Sequence, residues 1–491
     1  MTEEKPTAHR PPERDYKRVF FELLGRSPHL SAYRVLTGGQ KLAILIALGA
    51  LAAWLVLSWR TCLIALNGVM IVYYLVLSAW KLWLIDESLF SRREITAPPE
   101  ELASLRDDEC PAYTILVPLY HETETLPRLV EGIGRLDYPK DKLDVIFLLE
   151  EDDRETQAAF ATLHPPAHIR GVVVPDMLPK TKPKACNLGL HLARGKYLVI
   201  YDAEDRPDAD QLKKAVVAFR HVDESVVCIQ AKLNFYNPRQ NLLTRLFTVE
   251  YSMWFDLFLP GLDYLKQPIP LGGTSNHFLT EKLRELHGWD AFNVTEDCDL
   301  GVRLADSNYQ TRMLDSTTWE EACSDLGYWV RQRSRWIKGY AQTYLVHFRN
   351  PVGMFRKMGF WKTFGFHMMI GGTPVCLLIN PIYWVLALFW VIFRSAEVGT
   401  FFPFPIILFG AVCLFVGNFV FVYAGVLAAY RRGYYDLVKT SLLMPFYWVM
   451  MSVAAWKGFL QLLTRPNYWE KTRHGMDKEV TQSLGAHNKM M

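Results

Sequence analysis

Long apolar stretches lie on both sides of a more polar central region, and they limit the fold of this chain more than any other feature of its sequence. The stretches are residues 42–59, 61–80, 368–393, 404–430 and 440–463. Each is close to, or longer than, the roughly 20 residues that a helix needs to cross a bilayer. Half of the 491 residues are hydrophobic while 21% are charged. This mixture predicts a soluble domain joined to membrane helices.

Basic residues around the first two stretches predict their orientation. The segment 1–41 is basic, only Arg60 separates the two stretches, and no signal-peptide pattern opens the sequence. The basic residues that follow are Lys81, Arg92 and Arg93. By the positive-inside tendency, residues 42–85 form a transmembrane helical hairpin with both flanks in the cytoplasm.

The C-terminal stretches are harder to orient. We predict an interfacial helix at 350–367 and transmembrane or interfacial helices over 368–463. Charge bias places 394–403, with Arg394, outside and 431–439 inside. The basic residues of the tail, 464–491, include Arg465, Lys471, Arg473 and Lys478. They favour the inside, whereas a third crossing would put the tail outside. Pro445 and Lys457 favour a re-entrant or interfacial course for part of 440–463.

The central region, 105–348, alternates short apolar runs with amphipathic segments, which is an α/β pattern. Strands are predicted at 113–118, 143–149, 169–174, 197–202 and 226–231, and helices near 124–135, 154–163, 184–194 and 208–221. This order predicts a largely parallel sheet with a nucleotide-sized crevice at its carboxyl edge.

Charge and cysteine content exclude some classes of protein. The net charge of +3 and the lack of a basic run interleaved with aromatics argue against nucleic-acid binding. The eight cysteines form no CxxC pair, and several lie in apolar segments. They are typical of reduced core residues, so the catalytic domain is expected in the cytosol.

The run Tyr197-Leu198-Val199-Ile200-Tyr201-Asp202-Ala203-Glu204-Asp205 is a buried-strand pattern that ends in three acids. Carboxylates at a strand end suit Mg²⁺ or Mn²⁺ held together with substrate phosphates. The alternative is an ordinary acidic loop before a helix.

Two other groups of polar residues lie near predicted strand and helix ends. Glu122 follows the first strand, and Glu150 and Glu151 end the second. Acids there could bind the base and ribose of a nucleotide or simply cap helices. The run Lys180-Thr181-Lys182-Pro183-Lys184-Ala185-Cys186-Asn187 opens a helix, where lysines could meet phosphate or remain a solvated surface run.

Two further motifs follow. Thr295-Glu296-Asp297 opens a helix, where the helix dipole favours acids whatever their function. Gln332, Arg335 and Trp336 have the spacing that places an amide, a guanidinium and an indole on one helix face. Such a face fits a sugar diphosphate site, and its alternative is a tryptophan anchored at the membrane surface.

Taken in this order, Asp202-Ala203-Glu204-Asp205, Thr295-Glu296-Asp297 and Gln332-x-x-Arg335-Trp336 resemble the family 2 glycosyltransferases of the cellulose, hyaluronan and chitin synthase type. The resemblance covers roughly 110–475 and implies a GT-A (nucleotide-diphospho-sugar transferase) α/β domain inserted between transmembrane α-helices. It implies that Glu122, Glu151, Lys182, Asn187 and Asp202 bind the nucleotide. It makes Asp297 the catalytic base, and it places Thr295, Glu296, Gln332, Arg335 and Trp336 in the donor and acceptor pocket. Gly273-Thr274-Ser275-Asn276 resembles the acceptor-side loop of the family.

The chain departs from the family at its metal motif, which reads Asp-Ala-Glu-Asp rather than Asp-x-Asp. Asp202 is the first expected ligand of Mg²⁺ or Mn²⁺, and Glu204 and Asp205 are alternatives for the second. The nucleotide-side pair is also Glu150-Glu151, where the family commonly has two aspartates.

The resemblance implies an inverting transfer of sugar from a UDP-sugar to a growing β-linked polysaccharide at the cytoplasmic face of the inner membrane, with coupled export. The alternative is single transfer to a membrane lipid such as ceramide or polyprenyl phosphate. A third interpretation, a non-enzymatic membrane nucleotide receptor, is disfavoured because all the motifs are present. The sequence names no export partner.

Overall fold

The computed structural model describes residues 16–91, 94–393 and 399–470. The expectations that rest on residues 1–15, Arg92, Arg93, Arg394 and the basic residues after 470 lie outside these described residues.

The described residues of the central region form one eight-stranded sheet, with the order β3-β2-β1-β4-β7-β6-β8-β5. Its strands are β1 Tyr113–Leu119, β2 Leu143–Glu150, β3 Ile169–Val174, β4 Tyr197–Ile200, β5 Arg206–Pro207, β6 Val226–Phe235, β7 Asn276–Leu279 and β8 Gln310–Glu320. The five strands expected from the apolar runs are all present. The pattern did not predict β5, β7 and β8, because these strands are very short or carry many polar residues.

Most strands run in one direction, as expected. β1 pairs in parallel with β2 and β4, β2 with β3, and β6 with β8. β7 is antiparallel to both of its neighbours, β4 and β6, so β6 and β8 point the same way as β4. The carboxyl ends of β1, β2, β4, β6 and β8 therefore meet at one edge of the sheet, which is where ligands bind in α/β folds.

Helices cover both faces of the sheet and continue into the apolar segments. They are Tyr16–Phe20, Glu22–Arg26, Gly38–Phe90, Pro99–Ser104, Leu126–Gly134, Arg154–Thr162, Lys182–Leu192, Gln211–Arg220, Leu242–Met253, Leu259–Tyr264, Thr280–Glu285, Glu296–Asp306, Leu326–His347, Pro351–Phe366, Gly372–Phe393, Phe404–Val412, Asn418–Arg431 and Met444–Thr464. Wider π-helical turns join some of them at Trp254–Phe258, His367–Gly371 and Cys413–Gly417, and a 3-10 segment spans Tyr435–Leu443. We call Glu296–Asp306 the TED helix, Leu326–His347 the QRSRW helix and Met444–Thr464 the final helix.

The first apolar helix, Gly38–Phe90, turns back on itself at Ser58, the residue with non-helical backbone angles. Gln40 Nε2 donates to Leu345 O at 2.7 Å, and the Trp80 ring packs on Phe364 at 5.2 Å. The chain at Leu345 is close to Phe364, because Tyr344 stacks on Phe366. A straight helix would separate Gln40 from Trp80 by about 60 Å. Both ends of the segment therefore return to the α/β domain.

Four helical segments of the described chain are long and apolar enough to cross a membrane: 38–90, 351–393, 404–431 and 435–464. The last is the most buried, because the final helix lies along the QRSRW helix. Gly458 makes this packing possible, since a Cβ there would lie 2.6 Å from Ser334 O. Arg239 pairs with Asp436 before the final helix, and Gln342 bonds Asn467 after it. Both ends of this segment therefore contact the α/β region, and the re-entrant or interfacial course expected for part of 440–463 stays a prediction.

Candidate active site

A cavity of ≈ 540 Å³ opens at the carboxyl edge of the sheet. It brings together most of the residues singled out in the sequence: Glu122, Lys182, Asp202, Glu204, Thr295, Glu296, Asp297, Gln332, Arg335 and Trp336. Glu151, Asn187 and Asp205 are not part of its wall. Segments separated by more than 200 residues therefore converge on one site.

Asp202 follows the end of β4 and is held by Lys182. Lys182 Nζ lies 2.5 Å from Asp202 Oδ1 and donates to Gly273 O at 2.7 Å. Lys182 starts its helix with Pro183 next in the chain, a favourable arrangement for a helix N-terminus. The lysine thus joins the acidic strand end to the loop Gly273-Thr274-Ser275-Asn276, and it places positive charge where a diphosphate would bind.

The structure separates the two candidates for the second metal position. Glu204 lines the cavity. Asp205 is buried, and its Oδ2 accepts hydrogen bonds from Asp202 N at 2.7 Å and from the Thr274 hydroxyl. Asp205 Oδ1 has no hydrogen-bond partner in the described part of the chain. The geometry therefore favours Asp202 and Glu204 as the carboxylates that face a ligand.

Glu320, at the end of β8, adds a carboxylate that sequence reasoning missed. Burial raises its pKa well above the ordinary value, with further contributions from Asp205, Glu204 and Asp202. Burial, together with the charges of Asp202 and Glu204, also raises the pKa of Asp205 well above its usual range. Carboxylates gathered this closely disfavour one another's charged forms, and a divalent cation relieves that repulsion.

The acidic cluster fits a metal shared with substrate. Among residues 16–91, 94–393 and 399–470, no three histidine, cysteine or acidic groups already converge as a complete metal site. Mg²⁺ and Mn²⁺ are usually held by one or two carboxylates, with phosphate and water completing the shell. Asp202 and Glu204 meet that requirement, and Lys182 is placed to bind the same diphosphate.

The TED helix presents Asp297 to the cavity from its first turn. Asp297 Oδ1 accepts a hydrogen bond from Cys298 N at 2.7 Å, and a Cβ on Gly273 would lie 3.5 Å from Asp297 Oδ2. Burial raises the pKa of Asp297 above its ordinary value, although the Cys298 N–H, Lys182 and Arg335 oppose the shift. A buried carboxylate next to open space is suited to accept a proton.

Glu296 differs from its neighbour Asp297. Burial and the Asp297 charge both raise the pKa of Glu296. The two adjacent carboxyl groups therefore favour a state in which Glu296 keeps a proton while Asp297 is ionised. Such a pair has distinct acid and base members.

The QRSRW helix closes the other side of the cavity. Gln332 Oε1 and Arg335 Nε are buried, with no hydrogen-bond partner among the described residues. Arg335 also donates to Val294 O at 3.3 Å and lies 4.3 Å from the centre of the Trp469 ring. Buried polar groups rarely remain unpaired, so both side chains are positioned for a ligand.

Trp336 is fixed by an ionic and aromatic cluster that sequence reasoning also missed. The Arg333 guanidinium lies 4.5 Å from the centre of the Trp336 ring and pairs with Glu250. Tyr447, from the final helix, donates to Glu250 at 2.6 Å. The final helix therefore helps to shape the wall beside Trp336.

The nucleotide side differs from the expectation at two positions. Glu151 Oε2 accepts from Asp176 N at 2.9 Å, outside the cavity. Glu150 lines the cavity instead, paired with Lys184 at 3.0 Å. The Asn187 amide bonds Phe20 O and Trp289 O, so it joins the N-terminal segment to the domain.

For the other residues of the cavity wall, the sequence contains little or no pattern that would have indicated a place in the site. Glu320 is the last residue of β8, and Asp202 follows the end of β4. The expectation that acids at strand ends bind ligands, which singled out Asp202, could therefore have found Glu320 as well. Lys180 lines the cavity but looks like a surface residue in the sequence. Tyr251, Trp254, Tyr340 and Trp469 also line it. Their positions depend on helix packing, which local patterns do not encode.

A mixed sheet with acids at its carboxyl edge, a buried base candidate and flanking apolar helices defines a membrane-associated GT-A-type glycosyltransferase domain. Residues 197–469, more than half of the chain, match the family described as Glycosyl transferase family group 2. The chain belongs to this family. The match confirms the family and fold class expected from the motifs.

Individual relatives are distant. The chain is 26% identical over 235 residues to "Probable glycosyltransferase YdaM" of Bacillus subtilis (strain 168), covering 47% of this chain and 56% of that protein. It is 26% identical over 248 residues to "Cellulose synthase 2" of Novacetimonas hansenii, covering 49% of this chain and 15% of that protein. The chain thus spans little more than half of the first relative and a small part of the second.

A solved structure shares the fold. The mannosyltransferase PcManGT from Pyrobaculum calidifontis, in complex with GDP-Man and Mn²⁺, superposes with a TM-score of 0.50 at 18% sequence identity. The superposition covers 82% of this chain and 99% of that one. At this identity the similarity concerns the fold alone.

Proposed function

We propose that the protein is an inverting, metal-dependent glycosyltransferase that moves a sugar from a nucleotide diphosphate to an acceptor hydroxyl. The observation that carries the proposal is the single cavity that gathers Asp202, Lys182, Asp297 and Arg335. Asp297 is the base, Asp202 is a ligand for the metal ion, and Lys182 and Arg335 offer positive charge to the diphosphate. A glycosyl transfer of this kind needs all three functions.

The transfer takes place in one displacement. Asp297 removes the proton of the acceptor hydroxyl as its oxygen attacks the anomeric carbon, and the bond to the diphosphate breaks on the opposite face. Lys182 and Arg335 stabilise the negative charge that develops on the departing diphosphate. Mg²⁺ or Mn²⁺, bound by Asp202 and Glu204, would supply further charge neutralisation to the leaving group.

The donor is proposed to be a UDP-sugar. Glu122, Glu150 and Lys180 surround the end of the cavity that is next to β1 and β2. GDP-mannose is the second donor to test, because PcManGT, which has the same fold, is in complex with it.

The acceptor is proposed to enter from the membrane side. The cavity wall includes Thr373 and Met451, which belong to the apolar helices 372–393 and 444–464. The first candidate is a growing β-linked polysaccharide, made at the cytoplasmic face of the inner membrane and exported by the same chain. The second candidate, a membrane lipid, is favoured by the apolar wall at this end.

Product analysis tests the proposal. Purified full-length protein in nanodiscs is supplied with Mn²⁺ and, one at a time, a panel of UDP-sugars and GDP-mannose. Nucleotide release is followed and the product is sized. Release with one donor is expected, and a long product identifies a polymerase whereas a single added sugar identifies a lipid transferase. Absence of release with every donor and with membrane lipid extract as acceptor would contradict the proposal.

A further inference from the structure

Lys81 lies in an aromatic pocket on the membrane side of the active-site cavity. Its Nζ is 4.5 Å from the centre of the Phe421 ring and 5.8 Å from that of Phe258. These rings belong to a continuous series with centroid separations of 6.2, 6.4 and 5.1 Å. We call the series Trp254, Phe258, Phe421 and Trp448 the aromatic row.

The aromatic row begins at the wall of the cavity. Trp254, the first member of the aromatic row, lines the cavity wall. On each of three helical segments, one residue lines the cavity wall. The residue three positions away on the same segment belongs to the aromatic row or lies near Lys81. The pairs are Phe255 and Phe258, Thr373 and Cys376, and Met451 and Trp448. Three positions on a helix span about 5 Å along its axis, so Lys81 is roughly one turn beyond the cavity wall.

The Lys81 ammonium has no hydrogen-bond or ion-pair partner within the described ranges of the chain. It carries three N–H donors. Aromatic faces attract a cation but provide no oxygen acceptor, and the attraction is smaller than the cost of removing an ammonium from water. Polar residues that face the interior of an apolar bundle usually mark the path of a ligand. An oxygen-rich anion would complete this pocket.

A lipid-borne anion suits the pocket better than a neutral glycan. Lys81 is on an apolar helix, and most residues of the neighbouring segment 404–431 are not buried within the protein. A lipid chain can therefore reach the aromatic row from the bilayer. A neutral sugar chain would offer Lys81 hydroxyl groups only, which bind an ammonium less strongly than a phosphate does.

We propose that Lys81 and the aromatic row form the membrane end of the acceptor site and bind the phosphate that links a polyprenyl-type lipid to the sugar of a lipid-linked glycan acceptor. This inference rests on the proposed glycosyl transfer and assigns its acceptor class. Lys81 holds the phosphate, the aromatic row packs against the first part of the lipid chain, and a hydroxyl of the sugar on the other side of the phosphate extends towards Asp297, which removes its proton.

Binding tests the site without requiring turnover. Full-length protein is placed in nanodiscs of phosphatidylcholine only, and equilibrium binding of radiolabelled farnesyl phosphate is compared with that of farnesol. Lys81→Met is expected to weaken farnesyl phosphate binding by about tenfold or more, the loss of one charge-assisted contact. It should leave farnesol binding unchanged. Lys81→Arg keeps the charge and is expected to retain most of the binding.

Lys362→Met is the matched control, since Lys362 is on the interfacial helix Pro351–Phe366 and does not line the cavity. This variant should bind farnesyl phosphate like the wild type. Equal binding of farnesyl phosphate by Lys81→Met and wild type, or equal loss of both ligands, would overturn the proposal. The two experiments can fail separately. If the assay detects no nucleotide release with any donor, the proposed function is contradicted, whereas the binding comparison still shows whether Lys81 binds a lipid phosphate.

Discussion

At the scale of single residues, the site depends on how burial divides roles among neighbouring acids. Asp297 and Glu296 are adjacent, and Lys182, Arg335 and a backbone N–H favour the charged form of both, but only the pKa of Glu296 is raised further by its neighbour's charge. Asp202 and Glu204 face the cavity, whereas Asp205 supports the turn from inside. Residues of the same chemical type thus have different functions because their surroundings differ.

Replacing the proposed base tests its role directly. We expect Asp297→Asn to lower turnover by about two to four orders of magnitude, the usual contribution of a general base. Nucleotide binding should change little, because Asp297 is placed on the acceptor side. Nucleotide release and calorimetric titration with UDP measure the two effects. Substantial residual turnover would remove Asp297 from the role of base.

The raised pKa of Asp297 predicts where activity is lost in acid. A base must be ionised, and burial moves the pKa of this carboxyl above its model-compound value of 3.8. As pH falls, Asp297 therefore takes up its proton earlier than an exposed aspartate would. The acid limb of kcat/KM should therefore lie at higher pH than the ordinary aspartate value of 3.8. A limb at or below that value in wild-type protein that remains folded would argue against this assignment.

The acids of the metal motif can be told apart by substitution. Glu204→Gln should raise the Mn²⁺ concentration needed for half-maximal activity by at least about tenfold, as expected for the loss of a ligand. Asp205→Asn should have little effect, because Asp205 is not part of the cavity wall and the asparagine oxygen can still accept from Asp202 N and the Thr274 hydroxyl. Manganese titrations of both variants provide the measurement. The reverse order of effects would assign Asp205 as the ligand.

At the scale of secondary-structure elements, function depends on how closely the QRSRW helix approaches neighbouring segments. A Cβ on Gly339 would lie 2.3 Å from Thr295 Oγ1, immediately before the TED helix. On the opposite side, Gly458 brings the final helix against Ser334. The QRSRW helix is thus held between the TED segment and the final helix, so a shift of one element moves the others.

Gly339→Ala tests this packing. The added methyl group must displace Thr295, and with it Asp297, so we expect kcat to fall about tenfold or more, as small displacements of catalytic groups do. Gly132→Ala is the matched control, because it lies in the helix Leu126–Gly134 with nothing within 4 Å of its Cβ. It should keep full activity and gain about 0.5–1 kcal/mol of stability. Equal activity of the two variants would show that the contact tolerates displacement.

At the scale of the whole molecule, contacts give the apolar helices two distinct ends. Trp59, next to the break at Ser58, packs on Phe401 at 5.3 Å, and Asn67 bonds Phe401 O at 3.0 Å. At the other end, Arg431 and Arg432 bond Asp256 of the α/β region. The residues near 401 are therefore at the end of the helices opposite the catalytic cavity.

This arrangement predicts the membrane topology. In a background without the native cysteines, Thr400→Cys should react with an impermeant thiol reagent from outside the cell, and Gly433→Cys should react only after the membrane is opened. Charge bias places 394–403 outside and 431–439 inside, and the contacts place the residues near 401 and near 431 at opposite ends of the helices. Labelling of both positions from the same side would contradict it. Intact activity of each variant serves as the control.

The sequence by itself determined the fold class, five strands, the apolar helices and the motifs, because length, periodicity and strand-ending acids are local properties. Only the tertiary structure decided that Glu204 rather than Asp205 faces the cavity, that Asn187 bonds Phe20 O and Trp289 O, and that Glu320 lines the site. These positions depend on contacts between residues far apart in the chain. No local pattern encodes such contacts, since burial and charge arise only when the segments pack together.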